Sequence, residues 1–351
     1  MSMKQEATVT ADMMKVALYR RGGVFEIADC PRPRPGAGEA VVEIAYCGIC
    51  GSDLHLVDTG VLRPGCVIGH EISGRIAAVG EGLQDFREGD LVAVMPLDPC
   101  FDCGPCQEGN TQLCQGGLSR SYGLGGKPGG FSQFMLVKRS MLFRLPMELD
   151  LKTAAINEPW AVAVHGINAL DLRPDSLVLV MGAGPIGLLS IYALKSKGIK
   201  NIYVSEPDPF RAERARRAGA TLALDPKTEK PGTVISRSAG RSPDFVVDCA
   251  GSKSSIQEAA EIIVSRGTVL VLGIHMGHIS LLPLICFAKE ISIRFSFGYN
   301  YREFGDCLAL LAKGQVAPEV VISDELSLSE IGTAFRLLHE PGHAKILITC
   351  H

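Results

Sequence analysis

Up to about residue 157 the chain alternates short runs of β-branched or alternating apolar residues with clusters of glycine and proline. Met14-Lys-Val-Ala-Leu-Tyr opens the first run, and others recur at Ala40–Ala45, Gly74–Val79 and Leu91–Met95. Pro31-Arg-Pro-Arg-Pro-Gly and Gly80-Glu-Gly separate them. Proline has no N–H to give a ladder and glycine admits turn geometry, so this punctuation predicts strands and turns. This half reads as an all-β or mixed unit, preceded by a flexible arm over residues 1–13.

Beyond about Asn157 the texture changes. Strand-like runs at Val178–Met181, Asn201–Ser205, Asp244–Asp248 and Thr268–Gly273 alternate with helical ones at Gly187–Lys197, Pro209–Ala218 and Ser255–Ile263. This is the βαβ rhythm of a doubly wound parallel sheet with helices on both faces. Leu177–Leu194 is apolar apart from Ser190 and approaches membrane-spanning length, but it divides into a strand, a glycine turn and a helix. The rhythm fades near Tyr299. A helix near Tyr301–Lys313 and a tail ending Lys345-Ile-Leu-Ile-Thr are too short to fold alone, so they are expected to return to the first unit. The α/β chain thus divides into residues 14–158 with 299–351, and residues 159–298.

Composition narrows the function. The chain has 351 residues, 46% hydrophobic and 21% charged, with a formal net charge of −3, which suits a soluble two-domain protein. No basic run of the kind that binds phosphate backbones is present, so neither nucleic acid nor membrane is expected as a partner. Twelve cysteines in so long a chain do not read as a secreted disulfide scaffold. Met1–Lys15 has no apolar leader, and a reducing, cytoplasmic setting is expected.

Four of those cysteines, Cys100, Cys103, Cys106 and Cys114, fall within one short stretch. Gaps of two, two and seven residues crowd four soft thiolates together, and zinc takes such ligands in a closed tetrahedron with no vacancy for substrate. This predicts a structural zinc site. A zinc finger for nucleic acid is disfavoured by the acidic net charge.

Gly182-Ala183-Gly184-Pro185-Ile186-Gly187 follows a buried-type strand and opens a helix, the setting in which this pattern marks a dinucleotide site. Gly182 allows the turn, Gly184 the approach of a pyrophosphate, and Gly187 the contact of helix on strand; the helix N-terminus faces the phosphates. Glu206 follows nineteen residues beyond Gly187, near the spacing of the acid that accepts the ribose hydroxyls and repels a 2′-phosphate. That favours NAD, with NADP left open by Arg211, which would accommodate the extra phosphate. A solvated acid at a strand end is the alternative reading of Glu206, and the full glycine pattern favours the ribose-binding one.

A second constellation holds Cys47-Gly-Ile-Cys50-Gly-Ser52-Asp53-Leu-His55, Gly69-His70-Glu71 and Asn157-Glu158-Pro159. A catalytic zinc needs about three protein ligands and one open position. By spacing alone Cys47 and Cys50 fit buried core thiols equally well, and His70 fits a turn histidine.

These motifs, in this order from about Met14 to the C-terminus, resemble the zinc-containing medium-chain dehydrogenase/reductase superfamily of alcohol dehydrogenases. The nearest pattern is that of the polyol, sorbitol, threonine and butanediol dehydrogenases. The resemblance implies a GroES-like, mostly-β catalytic domain and a Rossmann nucleotide domain. It implies two zincs per chain, the catalytic one held by Cys50, His70 and Glu158 with Glu71 exchanging or one shell back, and Asp53 orienting the histidine. The acid-proline motif takes the place that a cysteine fills in the liver-type enzymes. Ser52 is implied to take the alcohol proton, and the family relay passes it through the cofactor ribose to His55, which otherwise reads as a surface histidine. Asp248-Cys249-Ala250-Gly251, Gly273-Ile274 and Ser296-Phe297 are implied to line the cofactor cleft. Gly51 stands where the liver-type enzymes place an arginine beside the pyrophosphate.

The implied activity is reversible hydride transfer between an alcohol and NAD, with a small alcohol or polyol as substrate and a homodimer or homotetramer as the assembly. An NADPH-preferring reductase and a non-enzymatic NAD-binding relative are the alternatives. The four-cysteine loop is expected to hold a lobe of the catalytic domain, so that a Cys103→Ser variant loses stability or assembly before chemistry.

Overall fold

The computed structural model describes residues 12–351. The arm expected over residues 1–13 lies outside the described residues up to residue 11, and Met13 already begins the first strand.

The first half is built from β1 (Met13–Arg20), β2 (Val24–Pro31), β3 (Glu39–Gly48), β4 (Glu71–Val79), β5 (Leu91–Val94), β6 (Phe134–Lys138) and β7 (Leu142–Arg144). β1 and β2 form an antiparallel hairpin. β3 to β7 join β14 (Ile322–Ser327) and β15 (Lys345–Thr349) in a mixed sheet of order β14-β15-β3-β4-β5-β7, with β6 also on β3. β14 and β15 come from the far end of the chain, so the tail does return to the first half. β15 lies antiparallel to β3 through Leu347↔Gly48 and Thr349↔Tyr46.

The second half is a parallel sheet in the order β10-β9-β8-β11-β12-β13. Its strands are β8 (Leu177–Met181), β9 (Asn201–Ser205), β10 (Leu222–Leu224), β11 (Phe245–Asp248), β12 (Thr268–Val271) and β13 (Ser292–Phe295). Strand order reverses between β8 and β11, and in open α/β sheets a ligand crevice opens at that point. Every residue of β8 is buried, as a central parallel strand covered on both faces requires.

Helix boundaries follow local chemistry. Asp208 accepts hydrogen bonds from Phe210 and Arg211 N–H ahead of the helix Pro209–Ala218, and Gly219, at φ +111°, ends it. The helix expected from Gly187 begins at Pro185, because proline's fixed φ suits the first helical position. One core joins the halves: Ala93, Met95 and Leu145 pack with Trp160, Val180 and Leu188. Trp160, on the helix Asn157–Asn168, is fully buried at this junction, where truncation to alanine would cost roughly 3–5 kcal/mol.

Candidate metal centre and nucleotide cleft

Cys50 is the N-cap of the helix Gly51–Thr59, and Asp53 closes the cap by accepting the Cys50 backbone N–H at 3.0 Å through Oδ2. The other oxygen of Asp53 stands 3.3 Å from Nδ1 of His70. Turning Nδ1 toward Asp53 leaves Nε2 facing the Cys50 thiol and the Ser52 hydroxyl, the latter at 3.4 Å. Burial by itself disfavours the imidazolium, but the Asp53 carboxylate and the Cys50 sulfur together hold His70 well above its ordinary value. These surroundings favour positive charge on the ring, and a metal cation on Nε2 would also supply it. Asp53 Oδ1 and His70 Nδ1 are buried without an ideal hydrogen-bond partner, a pairing that a metal on Nε2 would tighten.

Ligand atoms of Cys50, His70 and Glu71 lie within 4.8 Å of one another. This differs from the expected trio, since Glu71 rather than Glu158 completes the tight cluster. Glu71 is fully buried, and Lys345 donates to both of its oxygens at 2.6 and 2.7 Å and to the Ile49 carbonyl at 2.8 Å. Although burial disfavours the Lys345 ammonium, Glu71, Cys50 and Glu158 hold it above its ordinary value. A β-carbon on Gly48 would lie 2.0 Å from Glu71 Oε2, so glycine is required there to seat the pair.

Glu158 stands beside the cluster. Burial pushes its carboxyl up to about 7, Glu71 adds to the rise, and His70 and the Tyr299 hydroxyl oppose it. His55, further along the helix Gly51–Thr59, is half-buried. Sequence reasoning missed Lys345 and Tyr299. The only signal for Lys345 was a charged residue opening an otherwise buried strand.

At the switch point a cavity of about 1150 Å³ is lined by Gly182, Gly184, Glu206, Arg211, Cys249 and Ser255, among others. The three glycines occupy the positions their roles require. Gly182 holds φ +91°, a β-carbon on Gly184 would meet only open space, and one on Gly187 would lie 1.9 Å from the Gly182 carbonyl. Glu206 is buried and accepts from Ala183 N–H at 2.6 Å and Asp208 N–H at 2.9 Å, so its carboxylate is aimed at the glycine turn. Arg211 spends Nε on the His343 carbonyl at 2.7 Å and also lines the cavity. Buried Asp248 gathers Ala250 N–H, Gly251 N–H, the Ser255 hydroxyl and His275 Nε2, the last at 2.9 Å. Burial pushes the Cys249 thiol up to about 12.

Pro185, Ile186 and Gly187 do not line that cavity, nor do Gly273, Ile274, Ser296 and Phe297. Gly273 lies against Gly251, where a β-carbon would come within 2.5 Å of its nitrogen. Ile274 and Phe297 are exposed by 48% and 71%, leaving apolar surface beyond the strand ends.

The four-cysteine cluster is closed and local. Sγ of Cys100 stands 3.6 Å from that of Cys114 and 3.9 Å from that of Cys106. A tetrahedron of Zn–S bonds requires sulfurs about 3.8 Å apart, so the thiols suit zinc. Backbone N–H groups of Asp102 and Cys103 lower the Cys100 thiol to about 6, whereas burial and the sharing of protons with Cys103 raise Cys106 to about 12. At the loop's base Asp98 accepts from Arg120 at 2.8 Å, Ser140 at 2.7 Å and Lys138 at 3.0 Å.

Comparison with known proteins adds to this geometry. Residues 36–147 match the model of the alcohol dehydrogenase GroES-like domain, and residues 185–313 match that of the zinc-binding dehydrogenase. The chain is 32% identical over 343 residues to 2-dehydro-3-deoxy-L-galactonate 5-dehydrogenase of Pseudoalteromonas atlantica, covering 96% of this chain and 99% of that protein. It is 30% identical over 325 residues to sorbitol dehydrogenase of Bacillus subtilis, covering 90% and 91%. Among solved structures, the alcohol dehydrogenase RspB of Escherichia coli CFT073, complexed with NADH, superposes with a TM-score of 0.87 at 30% identity, covering 96% and 99% of the two chains. No helix among the described residues is long and apolar enough to cross a membrane.

Proposed function

Because the chain belongs to the zinc-binding alcohol dehydrogenase superfamily, we propose that it oxidises an alcohol reversibly with NAD, a secondary alcohol or polyol being the substrate class. The observation that carries this reading is the cluster of Cys50, His70 and Glu71 beside Ser52. Zinc bound there supplies a Lewis acid that lowers the pKa of an alcohol hydroxyl. NAD bound in the cleft supplies the hydride acceptor. The protein's own residues position and move protons. Asp53 fixes the His70 ring with Nε2 inward. Lys345 neutralises Glu71 and so leaves its charge partly spent. Ser52 Oγ is placed to hold the substrate's hydroxyl proton, and His55, half-exposed on the same helix, to pass one to water.

Two zincs per chain fit the two donor sets, the second at Cys100, Cys103, Cys106 and Cys114. Thiolate ligands need reduced cysteines, which supports a cytoplasmic setting. Residues 14–158 with 299–351 form the catalytic domain, and 159–298 the nucleotide domain. The edge strand β13, with exposed Phe295 and Phe297 and the nearby exposed Leu284 and Phe287, supports assembly through the nucleotide-domain sheet into a homodimer, or a homotetramer built from it.

The test is an NAD- and NADP-linked assay over vicinal diols, sugar alcohols, sugar-acid alcohols and threonine, run on protein with its zinc counted. Turnover of at least one secondary alcohol with NAD preferred is expected. No turnover at full zinc content would overturn the reading.

A further inference from the structure

The four-cysteine loop touches more than its own lobe. Thr111, inside it, accepts the backbone N–H of Tyr301 at 2.7 Å across 190 positions of sequence. That N–H belongs to the first residue of the helix Tyr301–Ala312 and has no partner within the helix. Phe101 holds a left-handed backbone at φ 56° and sets its ring edge-on to Tyr301, with centroids 5.2 Å apart. A non-glycine residue in that region stores strain that its surroundings must hold. The Gln112 side chain lies 3.4 Å from where a β-carbon on Gly298 would stand.

Between Gly298 and Tyr301 sits Tyr299, buried, its phenol held well above its ordinary value first by burial and then by the neighbouring Glu158 carboxylate. Phe143 packs at a tilt against both Tyr301 and Phe304, with centroids 4.9 Å apart, and Phe304 against Tyr299 at 5.4 Å, so the aromatic cluster is continuous from the loop to Tyr299. Asn157, next to Glu158, donates to the Phe304 carbonyl at 3.0 Å.

We propose that the four-cysteine loop is a positioning element for the reaction: through Thr111 and Phe101 it fixes the crossing at Gly298–Tyr301, and Tyr299, as a positioning residue, thereby holds Glu158 beside Cys50 and His70. This rests on the reading of that cluster as the catalytic metal centre.

A double-mutant cycle tests it. Tyr299→Phe removes the hydroxyl that reaches Glu158, and Thr111→Val removes the acceptor for Tyr301 while leaving every cysteine in place. Losing one hydrogen bond in a positioning chain is expected to lower kcat about 5-fold for Thr111→Val and about 10-fold for Tyr299→Phe. The double variant should match Tyr299→Phe alone, because Thr111 acts through Tyr299. KM for NAD and the NADH Kd from fluorescence should stay within about twofold in all three. Cobalt(II) substituted for zinc gives a readout independent of turnover: both single variants should shift the ligand-field bands of the open site in the same direction. Multiplicative kcat losses, or a Thr111→Val protein unchanged in both kcat and cobalt spectrum, would overturn the proposal. A wild-type protein that turns over no alcohol would sink the dehydrogenase reading, and the cobalt comparison would still decide this one.

Discussion

The loop Cys100–Cys114 draws four sulfurs from one continuous stretch, while the open cluster draws its side chains from Cys50, His70–Glu71, Glu158 and Lys345, spread over most of the chain. The local site needs little loop-closure entropy and presents four identical soft donors. The dispersed site cannot be complete until the far end of the chain has returned to the first half. It mixes sulfur, imidazole and carboxylate, and buries an ion pair beside them. A uniform shell closes around a metal, whereas a mixed and partly neutralised one leaves it coordination room and charge for chemistry.

The sharpest way to break that contrast is to remove one sulfur from each side. Cys50→Ala should lower kcat/KM by at least about 10⁴-fold, since the Lewis acid is lost. NADH affinity by fluorescence titration should hardly change, and retained activity would end the distinction between the sites. Next in size is Lys345→Met, which leaves Glu71 buried without its cation. A loss of about 3–5 kcal/mol in urea unfolding is expected, with Lys345→Arg milder.

Cys103→Ser addresses the closed side. It should release one zinc per chain and cost about 2–4 kcal/mol by thermal denaturation, within the range for loss of a structural cross-link in a small lobe. Its kcat should fall no further than that of Tyr299→Phe. A loss of chemistry as large as that of Cys50→Ala would erase the comparison.

The smallest effect concerns the loop's stem. Despite burial, which alone would raise its pKa, the Asp98 carboxyl is held below its ordinary value by Ser140, Lys138 and Arg120. A lowered folded pKa means this contribution is complete above the usual carboxylate range and is lost as pH falls through the folded value. Asp98→Asn should therefore cost about 1–2 kcal/mol at neutral pH. The difference between variant and parent should vanish in strong acid, and a difference that persists there would point to packing instead.

Much of the fold is legible in the sequence where the determinants are local. The helix Pro209–Ala218 and the strand Asn201–Ser205 are bounded as expected, because Asp208, Pro209 and Gly219 sit at their joints. The four-cysteine loop is legible for the same reason. Where long-range pairing decides, sequence reading stops short. β3 was expected to end at Ala45 but runs to Gly48, since its last residues find their partners on β15. β4 begins at Glu71 rather than Gly74, because a carboxylate that reads as a loop residue is neutralised by Lys345 from 274 positions away. Nothing in the residues around Tyr299 signals that it is buried near Glu158. Asp53, expected to orient His70, also closes the helix cap at Cys50, one carboxylate oxygen facing each partner.

The separation of Glu71 from Lys345 also sets a timetable. At about 5–20 residues per second of synthesis, the 274 positions between them take about 15–55 seconds to emerge from a ribosome. Through that interval Glu71 has no lysine, and any metal reaching Cys50 and His70 meets an uncompensated carboxylate. The stretch from Cys100 to Cys114, by contrast, is complete about one to three seconds after its first thiol appears. The two clusters therefore mature on different clocks: the four thiols are together on a nascent chain long before the open cluster has reached its final charge.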